Sequence, residues 1–181
     1  MRRKLREADM HLTCGFLGIR FLLPALCDVG MIDEAYAILC QRTYPGWCYS
    51  VECGATTIWE HWNSNSADEL KGMNSFNHYS LGSFVEWIYE YCLGIRAVTE
   101  KPAFEKALIK PCICKSGRIT SAHGAYNTKR GRIDAGWERT EDGFYRYSLS
   151  VPAGIAAEYD FGGLKLLSQA EKDGTTVFLL Q

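Results

Sequence analysis

A strong net charge is missing from this chain. Twenty basic residues meet twenty-one acidic ones, for a formal charge of −1. That balance gives no general electrostatic pull toward nucleic acid or an anionic membrane, and no partner of either kind is expected. An uninterrupted hydrophobic run of membrane-spanning length is missing too. The longest apolar stretch, Cys14–Leu26, holds Arg20 and is too short to cross a bilayer. Met1-Arg2-Arg3-Lys4 and this stretch imitate a secretory signal, but Glu7, Asp9 and His11 interrupt the approach and no small-x-small cleavage site follows, so a cytoplasmic location is expected. Internal repeats and low-complexity tracts are lacking. So is a framework spacing among the eight cysteines, at positions 14, 27, 40, 48, 53, 92, 112 and 114. Several lie in apolar helical runs, where a thiol behaves as a small hydrophobe, and reduced thiols are expected.

What the chain does have is apolar and aromatic substance. Of its 181 residues 47% are hydrophobic and 13% aromatic, enough for one domain or two small ones. Flat rings suit sugar faces, and they suit an ordinary core equally. Helical spacing runs from Phe16 to Val29, with Pro24 inside it predicting a kink or a late start and Gly30 a stop. Met31–Gln41 carries Ile32, Ala35, Tyr36, Leu39 and Cys40 on one stripe, with Asp33 and Glu34 where a helix N-terminus favours acids. The two form an αα-hairpin. A loop is expected over Thr43–Ala55, a short helix over Thr56–Trp62 capped by Thr56 or Thr57, a polar loop over Asn63–Gly72, and a long apolar helix over Ser80–Val98.

Character changes near Pro102. Alternating segments at Gly117–Tyr126, Gly131–Trp137, Phe144–Val151, Ala156–Phe161 and Thr175–Leu180 are separated by turn signals such as Glu141-Asp-Gly143 and Lys172-Asp-Gly174. The expected organisation is α + β in two parts, a helical 1–101 and an antiparallel β domain over 102–181. So few helical hairpins do not close an all-α core, so the helical part reads as a portion of something larger, with a partner chain or dimer as one way to cover its open faces.

Chemistry concentrates at Glu60, which stands between Trp59 and Trp62. Rings that exclude water beside a carboxylate tune it for acid–base work, whereas a surface Glu simply pairs with a Lys. A thiol hydrolase built on Cys48 and His78 fits no familiar order, and Cys112-x-Cys114 with Cys48 and Cys53 lacks zinc-site intervals, so neither a metal nor a cofactor is expected.

The run Gly54-Ala-Thr-Thr-Ile-Trp-Glu60 resembles the signature that carries the general base of α-L-rhamnosidases. Thr13–Gly18 is similar to that family's helix start, Tyr44-Pro-Gly-Trp47-Cys-Tyr49 to its Pro-x-Trp loop, Met73–Tyr79 to its next active-site loop, and Gly82–Tyr89 to the helix after it. Gly131–Trp137 and Val151-Pro152 resemble its C-terminal sandwich. The resemblance implies C-terminal hairpins of a six-hairpin (α/α)6 barrel followed by a small β-sandwich, acting on rhamnose-containing glycosides or oligosaccharides with inversion. Glu60 would be the general base, His78 a contact to sugar hydroxyls, and Trp47 a stacking platform or a loop anchor. The general acid lies in an earlier acidic motif that matches nothing here, and Glu52, Asp68 and Glu69 lack that motif, so the alternative reading is a non-catalytic carbohydrate-binding or interaction remnant of such an enzyme. His61 stands where the family more commonly has Arg, Asn63 where it has Asp, and Cys14 and Cys48 replace Thr and Gly.

Overall fold

A computed structural model describes residues 1–11, 14–66 and 72–181. The chain divides into two compact units, Met1–Val85 and Glu86–Gln181. The first holds helices α1 (Arg2–Glu7), α2 (Phe16–Asp28), α3 (Ile32–Leu39) and α4 (Trp47–Glu52). Helix α2 starts at Phe16 and runs through Pro24. It ends in a Schellman turn: Gly30, at φ +75°, donates to Cys27 O at 3.0 Å and Met31 to Leu26 O at 2.7 Å. That turn folds α3 back on α2. Ile19, Leu23 and Leu26 of α2 and Ala35, Tyr36 and Ile38 of α3 are at most 1% exposed. Each large aliphatic among them contributes about 1.5–3 kcal/mol by burial. A second apolar side of α2, with Leu17 and Phe21, is exposed.

Two expectations fail here. Helix α4 forms inside the segment read as a loop, and Thr56–Trp62, read as a helix, is bends and turns. Helix α4 closes with another Schellman turn. Gly54, at φ +83°, donates to Val51 O and Ala55 to Ser50 O, both at 2.9 Å, and the chain leaves in irregular form.

The expected helix over Ser80–Val98 is a relay of tighter and wider turns: a 3-10 turn (Ser80–Ser83), α5 (Phe84–Trp87) and a π turn (Ile88–Cys92). The chain then becomes strand β1 (Ile95–Ala97). Four consecutive carbonyls at the end of the relay are satisfied by tertiary donors. Tyr91 O accepts from the Cys112 amide at 2.7 Å, Cys92 O from the Trp137 indole at 3.0 Å, Leu93 O from the Tyr147 hydroxyl at 2.7 Å, and Gly94 O from the Lys110 amide at 2.9 Å. Such groups are otherwise orphans of a helix end. Burial also pushes the Tyr147 hydroxyl's pKa far up, so it stays a donor.

The second unit's strands continue as β2 (Lys106–Ile109), β3 (Ser121–Thr128), β4 (Gly131–Arg139), β5 (Tyr145–Ser150), β6 (Ala156–Tyr159), β7 (Leu166–Lys172) and β8 (Thr175–Leu180). They make a three-stranded sheet, β1-β2-β6, and a five-stranded sheet, β3-β4-β5-β8-β7. Pairing is antiparallel apart from β2 with β6, which is parallel. Alternation sends Ile133, Ala135, Trp137, Tyr145, Tyr147 and Leu149 inward. Tyr159 and Phe161 reach Phe178 of β8 with ring centroids 5.1 and 4.9 Å apart, joining the sheets through aromatic contact.

All eight cysteines are free, and Cys53 alone is exposed. Burial pushes the Cys14 and Cys48 thiols up. Thiol labelling of the native chain at neutral pH should therefore modify Cys53 first. Cys27, Cys92, Cys112 and Cys114 should react only with denaturant present, as read by mass spectrometry of the labelled peptides.

Candidate active site

Residues of two loop segments in the first unit are laced together around Glu60. The Glu60 amide donates to Ser75 O at 2.9 Å and the His78 amide to Ile58 O at 2.8 Å. The Thr57 hydroxyl donates to Phe76 O. Those bonds explain why 56–62 is not helical: the Glu60 amide and the Ile58 carbonyl, which a helix would use, are taken by the 75–78 segment. Trp59, 5% exposed, packs edge-on against Phe76 at 5.7 Å.

A buried polar clamp holds the same segments one step further along. The Ser64 hydroxyl, 1% exposed as a residue, donates to Asn74 Oδ1 at 2.7 Å and accepts from the His61 amide at 3.0 Å. The Asn74 amide returns a bond to Ser64 O at 3.0 Å. A network satisfied this fully fixes one loop geometry.

The lacing presents three polar side chains beside aromatic rings. Glu60 keeps 18% of its side chain accessible, and its Oε1 lies 3.9 Å from Nε2 of His61. Phe16, at the start of α2, stacks on His78 at 5.2 Å and on His61 at 6.2 Å. Tyr79 stacks on His78 at 5.1 Å. His78 Nδ1 accepts from the Ser80 amide at 3.3 Å, a bond that orients the ring and leaves Nε2 for another partner.

Trp47 belongs to the same unit. It is 7% exposed, its indole donates to Leu81 O at 2.7 Å, and its ring meets Trp62 and Phe84 at 5.4 and 5.0 Å. Glu52 stands apart in an ion pair with Arg42. Asp68, Glu69 and Thr13 lie outside the described residues. Among the described residues no three His, Cys, Asp or Glu side chains come together to hold a metal ion, and no helix is long and apolar enough to cross a membrane.

Sequence reasoning singled out Glu60 and His78 but passed over Phe16, Ser64 and Tyr79 as contributors. Phe16 opens an apolar helical run and reads as core, yet it is 42% exposed. Ser64 sits among asparagines and reads as ordinary loop. Only the fold reveals that it is buried and clamped.

Comparison with known proteins bears on the family of the chain. Residues 1–92 match the family model of the bacterial alpha-L-rhamnosidase 6 hairpin glycosidase domain, and residues 94–172 that of the bacterial alpha-L-rhamnosidase C-terminal domain. An alpha-L-rhamnosidase of Alteromonas sp. (strain LOR) is 43% identical over 158 residues, covering 86% of this chain and 17% of its own. One from Streptomyces avermitilis is 39% identical over 157 residues, covering 85% and 15%. The crystal structure of the S. avermitilis alpha-L-rhamnosidase complexed with L-rhamnose superposes with a TM-score of 0.76 at 33% identity, over 98% of this chain and 18% of that one. The native Aspergillus terreus enzyme superposes at 0.78 with 25% identity, over 98% and 20%. The chain thus spans about a sixth of the length of the curated relatives it matches. With a helical six-hairpin portion followed by a sheet-rich C-terminal domain, this chain belongs to the bacterial α-L-rhamnosidase family of glycoside hydrolases.

Proposed function

We propose that this chain supplies the general base of an inverting hydrolase of terminal α-L-rhamnosides, with Glu60 as that base. The observation that carries the reading is the laced pair of segments, which holds a partly accessible carboxylate and an imidazole with a free nitrogen on one aromatic-walled surface.

Inversion requires a carboxylate to activate water on one face of the sugar while an acid protonates the leaving oxygen on the other. Glu60 would take the water's proton. His78 Nε2 would donate to or accept from a sugar hydroxyl, and the exposed rings of Phe16 and Tyr79 would border the sugar's apolar face. Of the roles open to Trp47, its burial favours the anchor: it holds the 44–49 loop to Leu81 and supports Trp62 behind the base. The acid would come from outside these 181 residues, since none of them matches the family's acidic motif. The exposed side of α2 would meet further barrel helices, in the same polypeptide or in a partner chain.

Two measurements test this. The 181-residue polypeptide alone should release no aryl aglycone from an aryl α-L-rhamnoside. Turnover that Glu60→Gln abolishes would show a complete site and sink the external acid. In a full-length hybrid enzyme carrying this region, proton NMR should show β-L-rhamnose as the first-formed sugar. The α-anomer appearing first would mean retention and overturn the assignment of Glu60 as base.

A further inference from the structure

The five-stranded sheet of the second unit has a solvent face as well as a core face. On that face β3, β4 and β5 bring into register Ser121 with Glu138 and Arg146, and His123 with Gly136 and Ser148. These six residues line a groove of about 360 Å³. Its floor is Gly136, a glycine in the middle of a central strand. Such a position weakens a strand and marks a place where something approaches the backbone closely; here that is the His123 side chain, whose Cδ2 would lie 3.0 Å from a Cβ. Gly136 is buried although it points to the solvent face, because the His123 side chain and its neighbours rise around it.

The lining has a definite electrostatic character. Arg146 pairs with Glu138 across the strands, and Arg132 pairs with Asp134 further along at 2.8 Å. Each positive charge is matched, so an anion entering the groove meets Glu138 and a cation meets Arg146. A neutral hydroxylated ligand meets neither penalty. Each of its hydroxyls both donates and accepts, and the groove offers guanidinium donors, carboxylate acceptors, and Ser121, Ser148 and His123 groups that do both. Trp137 offers no face for stacking: it is 2% exposed and commits its indole to Cys92 O, which leaves the His123 imidazole as the one ring among the lining residues with a face to offer. Recognition would run mainly through hydroxyls, which places the dissociation constant in the millimolar range, about 1 mM or weaker.

We propose that this groove is a binding site for a neutral saccharide unit, belonging to the β domain and separate from Glu60. It would let the domain hold a sugar residue of a larger glycan.

The test uses the 181-residue chain, labelled with nitrogen-15 and titrated with L-rhamnose, with D-galactose and with inorganic phosphate. At least one sugar should shift the amides of 121–123, 136–138 and 146–148 saturably. Arg146→Ala, and separately Ser148→Leu to fill the groove, should abolish those shifts while the rest of the spectrum stays dispersed. Absence of saturable shifts with both sugars up to about 100 mM, or shifts that survive both variants, overturns the proposal. So does phosphate shifting the same amides at lower concentration than either sugar, since that would make the groove an anion site. Amides near Glu60 and His78 report the catalytic surface independently, so failure at one site is not failure at the other.

Discussion

Glu60→Gln, placed in a full-length hybrid enzyme whose C-terminal region is this chain, should lower kcat by about 10²–10⁴-fold and leave KM within a few-fold. Gln keeps the size and one acceptor oxygen but cannot take a proton from water. The backbone amide of Glu60 donates to Ser75 whatever the side chain, so the loop should hold its shape. The loss therefore belongs to the transition state rather than to sugar binding. His78→Ala should divide the other way, raising KM, if the imidazole takes the proposed role of contacting a sugar hydroxyl and not the water. A Glu60→Gln enzyme retaining more than a tenth of the wild-type kcat would remove Glu60 from the role of base.

Gly94→Ala should destabilise the second unit by about 3–5 kcal/mol, the largest stability effect expected of any single-methyl change in the chain. Two penalties add. Gly94 lies at φ +80°, in the left-handed region that an alanine enters only at a cost. A Cβ there would also sit 2.4 Å from Pro111 N and 2.6 Å from Lys110 C, both backbone atoms that no rotamer change can move aside. Backing away would break the bond from the Lys110 amide to Gly94 O. Against a typical total of about 5–15 kcal/mol, such a loss leaves the unit marginal. Guanidinium denaturation followed by near-ultraviolet circular dichroism measures it. Gly154→Ala is the matched control, with open space around the new methyl and no positive φ, and should fall within about 0.5 kcal/mol of wild type.

The parts of the fold that could be read from the sequence are those decided locally. Helices α2 and α3 announce themselves through a 3.6-residue stripe and a glycine that can take the left-handed turn at position 30. Strands β4, β5 and β8 alternate because one face is core. Strand β7 could not be read this way: all seven of its residues are exposed, and only the edge of β8 makes it a strand. The parallel pairing of β2 with β6 joins segments about fifty residues apart, which no local pattern encodes. The misreading of 56–62 has the same root. The segment has a threonine to cap it and apolar residues to bury, but the 75–78 segment takes the Ile58 carbonyl and the Glu60 amide that a helix would need. At the site, residue types and their order pointed to Glu60 and His78. The clamp that sets their geometry was invisible, because a buried serine and an exposed one are spelled alike.

The lacing of 57–60 to 75–78 also bears on how such a site can move. Three hydrogen bonds and the Ser64–Asn74 clamp make Glu60 and His78, the proposed base and sugar contact, parts of one small plate, so thermal motion would carry them together and keep their spacing constant while the plate tilts. Registry between water and sugar would then be inherited from covalent order in this stretch of chain. The distance free to vary would be the one to the proton donor opposite. Fine control of turnover would accordingly reside in whatever seats this plate against the other half of the barrel, and not within the plate itself.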